Sequence, residues 1–399
     1  MLKLLAAPNA LKGSLSPFAA AAAIAAGARR AVPDLEVMQL GIADGGDDTA
    51  EVVCRARGGG FREAPTLDPL GRPRMARYGW LDDGTAVIDV ATASGLALLQ
   101  ADERSALTAT SYGTGQLLRA ALHAAAERVV LGVGGSASVD GGAGILEALG
   151  ARLLDADGQP LPRGGAALIR LARIDLSQLS ERARQVPLEV ACDVDSQLLG
   201  EHGAARLFGP QKGANAAGVE QLENALAHFA AIVARDFGRD IASVASGGAA
   251  GGIAAGLFGV LGARLVPGVD WVLDAVGFDQ ALSGAALCIT AEGLLDRQSL
   301  RNKGPFGVAK RAAAQGVPVV ALGGGIASDV SARDFPGFAG MFSLCARPMS
   351  LAEAMRDAAP LLEATAEHVV RLFARAHETG RLFARAHEAG RPLAQIRQT

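Results

Sequence analysis

From Leu131 to Gly144 the chain reads Leu-Gly-Val-Gly-Gly-Ser-Ala-Ser-Val-Asp-Gly-Gly-Ala-Gly, and few folds accept such a run. Val129-Val130-Leu131 before it predicts a short buried strand, and Ile145 to Leu149 after it predicts a helix. A strand that passes through glycines into a helix aims backbone N–H groups and the positive end of a helix dipole at one point. That setting suits an anion such as phosphate. Units of this kind build parallel sheets, where ligands bind at the carboxyl ends of the strands.

Other segments repeat the pattern. Leu2 to Ala7 reads as a strand ending at Pro8-Asn9-Ala10-Leu11-Lys12-Gly13-Ser14, and Ser16-Pro17 supplies a helix N-cap and first turn. Glu36 to Ile42 reads as a second strand that delivers Asp44-Gly45-Gly46-Asp47-Asp48. From Arg62 the texture changes to turns and short strands, as in antiparallel hairpins. Val190 to Asp195, Ala286 to Gly293, Val317 to Gly324 and Gly340 to Leu344 return to strands with helices between them. The expectation is a discontinuous α/β domain over residues 1–61 and 265–370, interrupted by a second α/β domain over 62–264. A helical tail, 371–399, carries Arg371-Leu-Phe-Ala-Arg-Ala-His-Glu-Thr-Gly380, nearly repeated over 381–390.

Length and composition narrow the function classes. A chain of 399 residues has room for two cores. A net charge of −3 gives no basic footprint, which argues against nucleic acid as a partner. Cys54, Cys192, Cys288 and Cys345 are widely spaced without a C-x-x-C pair, so they read as reduced thiols of a cytoplasmic protein rather than a zinc site. The uncharged stretch 241–263 is long enough for a bilayer, but its glycines suit a turn and a tightly packed buried helix instead. No membrane association is expected. Of 38 basic residues only five are lysine, and three of those, Lys12, Lys212 and Lys303, stand directly before glycine. A compact ammonium beside a glycine is a common way to hold phosphate or carboxylate.

Two chemistries could use the opening stretch. Gly132-Val-Gly-Gly-Ser-Ala137 matches the dinucleotide pattern G-x-G-x-x-G/A, and Asp155 lies at a plausible distance for a ribose contact, as in a NAD-dependent dehydrogenase. Against this, Asp140 would oppose a bare pyrophosphate, and Asp155-Ala-Asp-Gly158 looks like a turn. Phosphoryl transfer needs cations for phosphates, carboxylates for Mg²⁺ and an acid that orients the attacking hydroxyl. Lys12, Asp44, Asp140, Asp193, Lys212, Glu292, Asp296 and Lys303 are such parts, and no G-x-x-x-x-G-K-[ST] occurs.

A family likeness favours the second chemistry. The chain resembles the bacterial glycerate kinases that phosphorylate D-glycerate with ATP. The resemblance runs in order over about residues 1–370, through Ala7-Pro-Asn-Ala-Leu-Lys-Gly-Ser-Leu-Ser16, Ala43-Asp-Gly-Gly46, Asp68-Pro-Leu-Gly-Arg-Pro73, Gly134-Gly-Ser-Ala137 with Asp140-Gly-Gly-Ala-Gly144, Ala191-Cys-Asp-Val194, Phe208-Gly-Pro-Gln-Lys-Gly-Ala214, Ala249-Ala-Gly-Gly252 and Ile289-Thr290 with Glu292-Gly293, Asp296 and Gln298-Ser299. It implies a flavodoxin-like parallel-sheet domain interrupted by an inserted mixed-sheet α/β domain, with the active site in the cleft between them. It also implies ATP and Mg²⁺ as companions and glycerate 2-phosphorylation as the usual outcome.

Within that frame Asp193 is the expected base, with Lys12 and Asp44 as further catalytic residues. Ser14, Gly45, Gly46, Gly134, Gly135, Ser136, Lys212, Glu292 and Lys303 are expected to bind substrate or phosphate, and Asp140 and Asp296 to bind metal. A homodimer is compatible with the family. The chain departs from the usual pattern at Asn9-Ala10 for Asp-Ser, Asp47-Asp48 for Glu-Gly, Ser138-Val139 for Thr-Asn, Ser246 for glycine, Leu294 for arginine and Asn302 for glycine. These departures keep open a catalytically weak regulatory protein that binds a hydroxy acid or nucleotide on the same fold.

Overall fold

The structure, a computed structural model, describes residues 2–192, 194–297, 303–330 and 337–388. The strands among them, in chain order, are β1 (Lys3–Ala6), β2 (Glu36–Gln39), β3 (Gly60–Leu67), β4 (Pro73–Trp80), β5 (Thr85–Asp89), β6 (Arg128–Gly132), β7 (Arg152–Leu154), β8 (Arg173–Asp175), β9 (Leu188–Cys192), β10 (Arg264–Pro267), β11 (Leu287–Leu295), β12 (Val319–Ile326) and β13 (Gly340–Ser343). The chain divides into two compact units: Met1–Gly41 with Phe278–Leu300 and Val308–Thr399, and Ile42–Gly277 with Arg301–Gly307.

The first unit holds a sheet of order β13-β12-β11-β1-β2, parallel throughout. Counted within the unit this is 2-1-3-4-5, the flavodoxin-like order, whose switch point lies between β1 and β11. The central strands β1 and β11 are apolar and buried, as Leu4, Leu5, Cys288 and Ile289 show, whereas the edge strands β2 and β13 are largely exposed. Helix Pro17–Ala31 starts as its sequence predicts, with the Ser16 hydroxyl oxygen accepting from Ala19 N at 3.2 Å and proline in the first turn. It packs along helix Ala358–Glu388, which runs through most of both copies of the tail repeat. A side chain at Gly27 would overlap the Glu363 carbonyl, so glycine sets how close these two helices come.

The second unit holds a mixed sheet of order β10-β9-β6-β5-β4-β3. The first four strands are parallel and the last two antiparallel. The β3–β4 turn is tied by Asp68, whose Oδ1 accepts from Leu70 N and Arg72 N, both at 2.9 Å. β7 and β8 form a separate antiparallel pair. Residues 42–61 and 265–277, expected with the first domain, pack in this unit. Helix Thr49–Arg57 lies on β4 and β5, and β10 pairs with β9 in parallel. The stretch 241–263 contains turns and then the mostly buried, kinked helix Ala249–Leu261 of this unit, and no helix among the described residues is long and apolar enough to cross a membrane.

Candidate active site

In the first unit the expected residues gather at the switch point. The loop after β1 is stitched to β11: Ala7 N donates to Ile289 O at 2.8 Å, Asn9 N to Ala291 O at 2.9 Å, and Thr290 Oγ1 to Ala7 O at 2.8 Å. It then closes a tight turn in which Ser14 N and Ser14 Oγ both donate to Leu11 O, at 2.9 and 3.1 Å. The Ser14 hydroxyl hydrogen is thus used by the turn, which leaves its oxygen as the acceptor a ligand could meet. Lys12 stands exposed on this turn, and a Cβ at Gly293 would come within 3.6 Å of Lys12 N. Lys12 and the Glu292-Gly293 segment are therefore neighbours at the carboxyl end of the sheet, where open α/β sheets bind ligands. Asp296 follows β11, half-buried.

In the second unit the loop after β6, residues 133–142, leaves the carboxyl end of a central strand. Its glycines have a structural task that the sequence does not announce. A Cβ on Gly134 would overlap Gly46 Cα, and Gly134 N donates to Gly45 O at 3.3 Å. On the other side a Cβ on Gly256 would overlap Gly141 O, and Gly141 N donates to Gly251 O at 3.1 Å. The loop is held between two other main-chain segments at spacings only glycine permits. Gly45, Gly46 and Gly134, expected to bind substrate or phosphate, also pack main chain against main chain.

Asp140 fills the place where an anion was expected. It is fully buried, and its Oδ2 accepts from Ser111 N and Ser111 Oγ, both at 2.8 Å, from Gly144 N at 3.3 Å and from Thr110 Oγ1 at 3.5 Å. Its Oδ1 accepts from Ser138 Oγ at 3.0 Å and Gly142 N at 3.3 Å. Six donors converge on one carboxylate, which caps the start of helix Ala143–Ala148 from within the protein. Expected as a metal ligand, Asp140 accepts from six protein donors and orders the loop. Ser111 precedes helix Tyr112–His123, and its hydroxyl donates to Asp140 and accepts from Ile145 N at 3.2 Å.

Lys212 enters the same region. Its Nζ donates to Ser136 Oγ at 2.8 Å and to Ser138 O at 2.7 Å, with 3% of the residue exposed. Burial pulls the ammonium down to about 7, against the opposing pull of the Asp140 charge. Gly135 adjoins a cavity of about 220 Å³ bordered by Asp47, Asp48, Glu51, Arg77 and Asp89. Asp89 passed unremarked in the sequence. Its carboxyl, 5% exposed at the end of β5, accepts from Ala50 N at 3.2 Å, and burial, with Asp47 and Asp48 nearby, pushes it up to about 8. The signal was present as one acid ending the apolar run Ala86-Val-Ile-Asp89.

Asp44 is buried in this unit, and Lys303 is half-buried just before helix Gly304–Ala314. Asp193, Gln298, Ser299 and Asn302 lie outside the described residues. Among the described residues no group of three or more His, Cys, Asp or Glu side chains is placed to hold a metal ion.

Residues 4–374 match the sequence profile of the glycerate kinase family. The chain belongs to the glycerate kinase family. It is 44% identical over 364 residues to a glycerate kinase of Halalkalibacterium halodurans, covering 91% of this chain and 96% of the relative. It is 40% identical over 358 residues to the glycerate 2-kinase of Escherichia coli K12, covering 90% and 94%. The crystal structure from Salmonella typhimurium LT2 designated glycerate kinase 2 superposes with a TM-score of 0.81 at 39% identity, over 94% of this chain and 99% of that one. The dinucleotide reading of Gly132–Ala137 gives way accordingly. Asp155, its ribose acid, accepts from Asp157 N at 3.0 Å and Gln159 N at 2.8 Å and so closes a hairpin turn.

Proposed function

We propose that the chain transfers the γ-phosphoryl group of ATP to D-glycerate, on the 2-hydroxyl in preference. The observation that carries the reading is the end-to-end likeness to glycerate kinases, a glycerate 2-kinase among them. Two features of the units support it. Lys12 stands exposed at the switch point of a flavodoxin-like sheet, suited to a carboxylate or phosphate. The loop after β6 presents Ser136 with a lysine behind it.

Mg²⁺ bound together with nucleotide phosphates needs only one or two protein carboxylates, so the lack of a three-acid cluster among the described residues is compatible with it. Asp296 and Asp44 are of the right donor type, whereas Asp140 is filled. When bound, the ion would neutralise charge on the transferring group. Asp193, which follows β9 in sequence, is assigned as the residue that accepts or orients the proton of the attacking hydroxyl. Lys12 holds the glycerate carboxylate, and Lys303 and Glu292 take part in substrate or phosphate contacts. The four free cysteines suit a reducing compartment, and the reading places the enzyme in the cytoplasm.

A coupled assay of ADP release with D-glycerate and Mg-ATP tests the activity, and NMR of the phosphorylated product tests the position. Glycerate-dependent ADP formation with phosphorus on the 2-oxygen is the expected result. No release above background overturns the kinase reading, and phosphorus on the 3-oxygen overturns the regiochemistry alone.

A further inference from the structure

Lys212 was expected to face the transferring phosphoryl group, yet two of its donors are held inside the protein. An ammonium has three donors and no acceptor, and Lys212 Nζ directs two of them at Ser136 Oγ, 2.8 Å away, and Ser138 O, 2.7 Å away. While Lys212 is protonated, Ser136 Oγ therefore accepts, and the hydroxyl hydrogen of Ser136 points away from the lysine. Among the described residues that hydrogen has no acceptor. The serine is nevertheless 95% buried and fixed from both sides along the chain: Leu96 N donates to Gly135 O at 2.8 Å, and Ala137 N donates to Ser94 O at 2.9 Å. Ser138, the second target of the lysine, also donates its hydroxyl to Asp140, so lysine and aspartate grip one turn from two directions.

We propose that Lys212 is a positioning residue rather than a phosphate ligand: it holds the Ser136–Ser138 turn and turns the Ser136 hydroxyl hydrogen toward the bound substrate anion, which Ser136 itself contacts. The inference rests on the kinase reading above and deepens it, because it names the group that touches the anion and the group that aims it. A hydroxyl with its acceptor side already occupied is a one-way donor, which suits an oxygen that gains negative charge as the phosphoryl group moves.

The two roles separate in a double-mutant cycle of Lys212→Met and Ser136→Ala, read as kcat, KM and as Kd for Mg-ATP and for D-glycerate by calorimetry. If the lysine acts through the serine, each single variant loses about tenfold or more, and the double variant loses little beyond either single one. Melting temperature supplies a readout that a purely structural lysine would move the other way. Met fills the same space without a buried charge, so Lys212→Met should melt no lower than the parent while losing turnover. Ser136→Thr, which keeps the hydroxyl, should restore most of what Ser136→Ala loses. Losses that multiply in the double variant, or a Ser136→Ala enzyme with unchanged kcat and Kd, overturn the proposal. So does a Lys212→Met protein that is inactive only because it is unfolded. Should the parent bind these ligands without turning them over, the kinase reading fails and the cycle in Kd still decides the role of Lys212. Should the parent bind neither, both readings fall.

Discussion

The Asp140 carboxylate accepts the backbone N–H and the hydroxyl of Ser111, each at 2.8 Å, and so joins the loop after β6 to the start of helix Tyr112–His123. Replacing Asp140 with Asn turns an amide N–H₂ toward groups that are themselves donors. Each buried donor left without an acceptor costs about 1–3 kcal/mol, so Asp140→Asn should lose on the order of 3 kcal/mol of stability. Urea unfolding of the metal-free protein checks this. A residue whose task was metal binding would leave that curve unchanged and raise the Mg²⁺ requirement instead.

Asp48 has φ +67° and Ser246 has φ +64°, the left-handed region. Both are backbone positions that glycine adopts without strain. Asp48→Gly and Ser246→Gly should each stabilise the protein by about 0.5–1 kcal/mol, since relief of the left-handed strain outweighs the extra entropy of glycine. Thermal melts of the two single variants and the pair measure it, with near-additive gains expected.

Two buried groups shape the pH dependence of stability in opposite senses. The Asp89 carboxyl is raised to about 8, so its contribution is full below the ordinary carboxyl range near 3.8 and is lost as pH rises through about 8. The Lys212 ammonium is lowered to about 7 from 10.5, so its contribution is present above 10.5 and is lost as pH falls through about 7. Unfolding free energy should therefore decline from pH 4 to 7, with opposing slopes near 7 to 8, and recover toward pH 10. Asp89→Asn should flatten the acidic limb and Lys212→Met the alkaline one.

Asp193→Asn should leave the melting temperature near that of the parent and lower kcat by about 10²-fold or more, the usual scale of a lost general base. Lys12→Met should instead raise KM for D-glycerate about tenfold with a smaller change in kcat, because an exposed cation that holds a carboxylate acts on the ground state and the transition state alike. Steady-state kinetics on both variants separates the roles. An Asp193→Asn enzyme with parental kcat would remove that residue from the chemistry.

The fold was legible where the signal is local. Strand ends carrying Lys12, Asp44 and Asp140 marked the carboxyl edges of parallel strands, and Ser16-Pro17 marked a helix start. The task of the glycines was not legible, because Gly134 meets Gly46 and Gly256 meets Gly141 across long stretches of chain, and no short window shows that the nearest neighbour of each loop is another backbone. An acid beside a glycine loop looks alike whether it awaits a metal or caps a helix. What separates the two cases is the set of donors, and for Asp140 these come from residues 110–111 as well as from its own loop. Asp89 was passed over for the converse reason: one acid at the end of a strand looks ordinary until burial is known.

The loop after β6 is located by main chain on both of its faces, at Gly45–Gly46 and at Gly251–Gly256. Asp140 and Lys212 apart, side chains nearby can drift in size and chemistry without moving it, since they are not what it rests on. At a few positions, by contrast, a single methyl group displaces the whole loop at once. Mutational tolerance around this loop should therefore be sharply divided, permissive at most neighbours and all-or-none at the glycines, so that lineages inherit its shape intact or lose it outright.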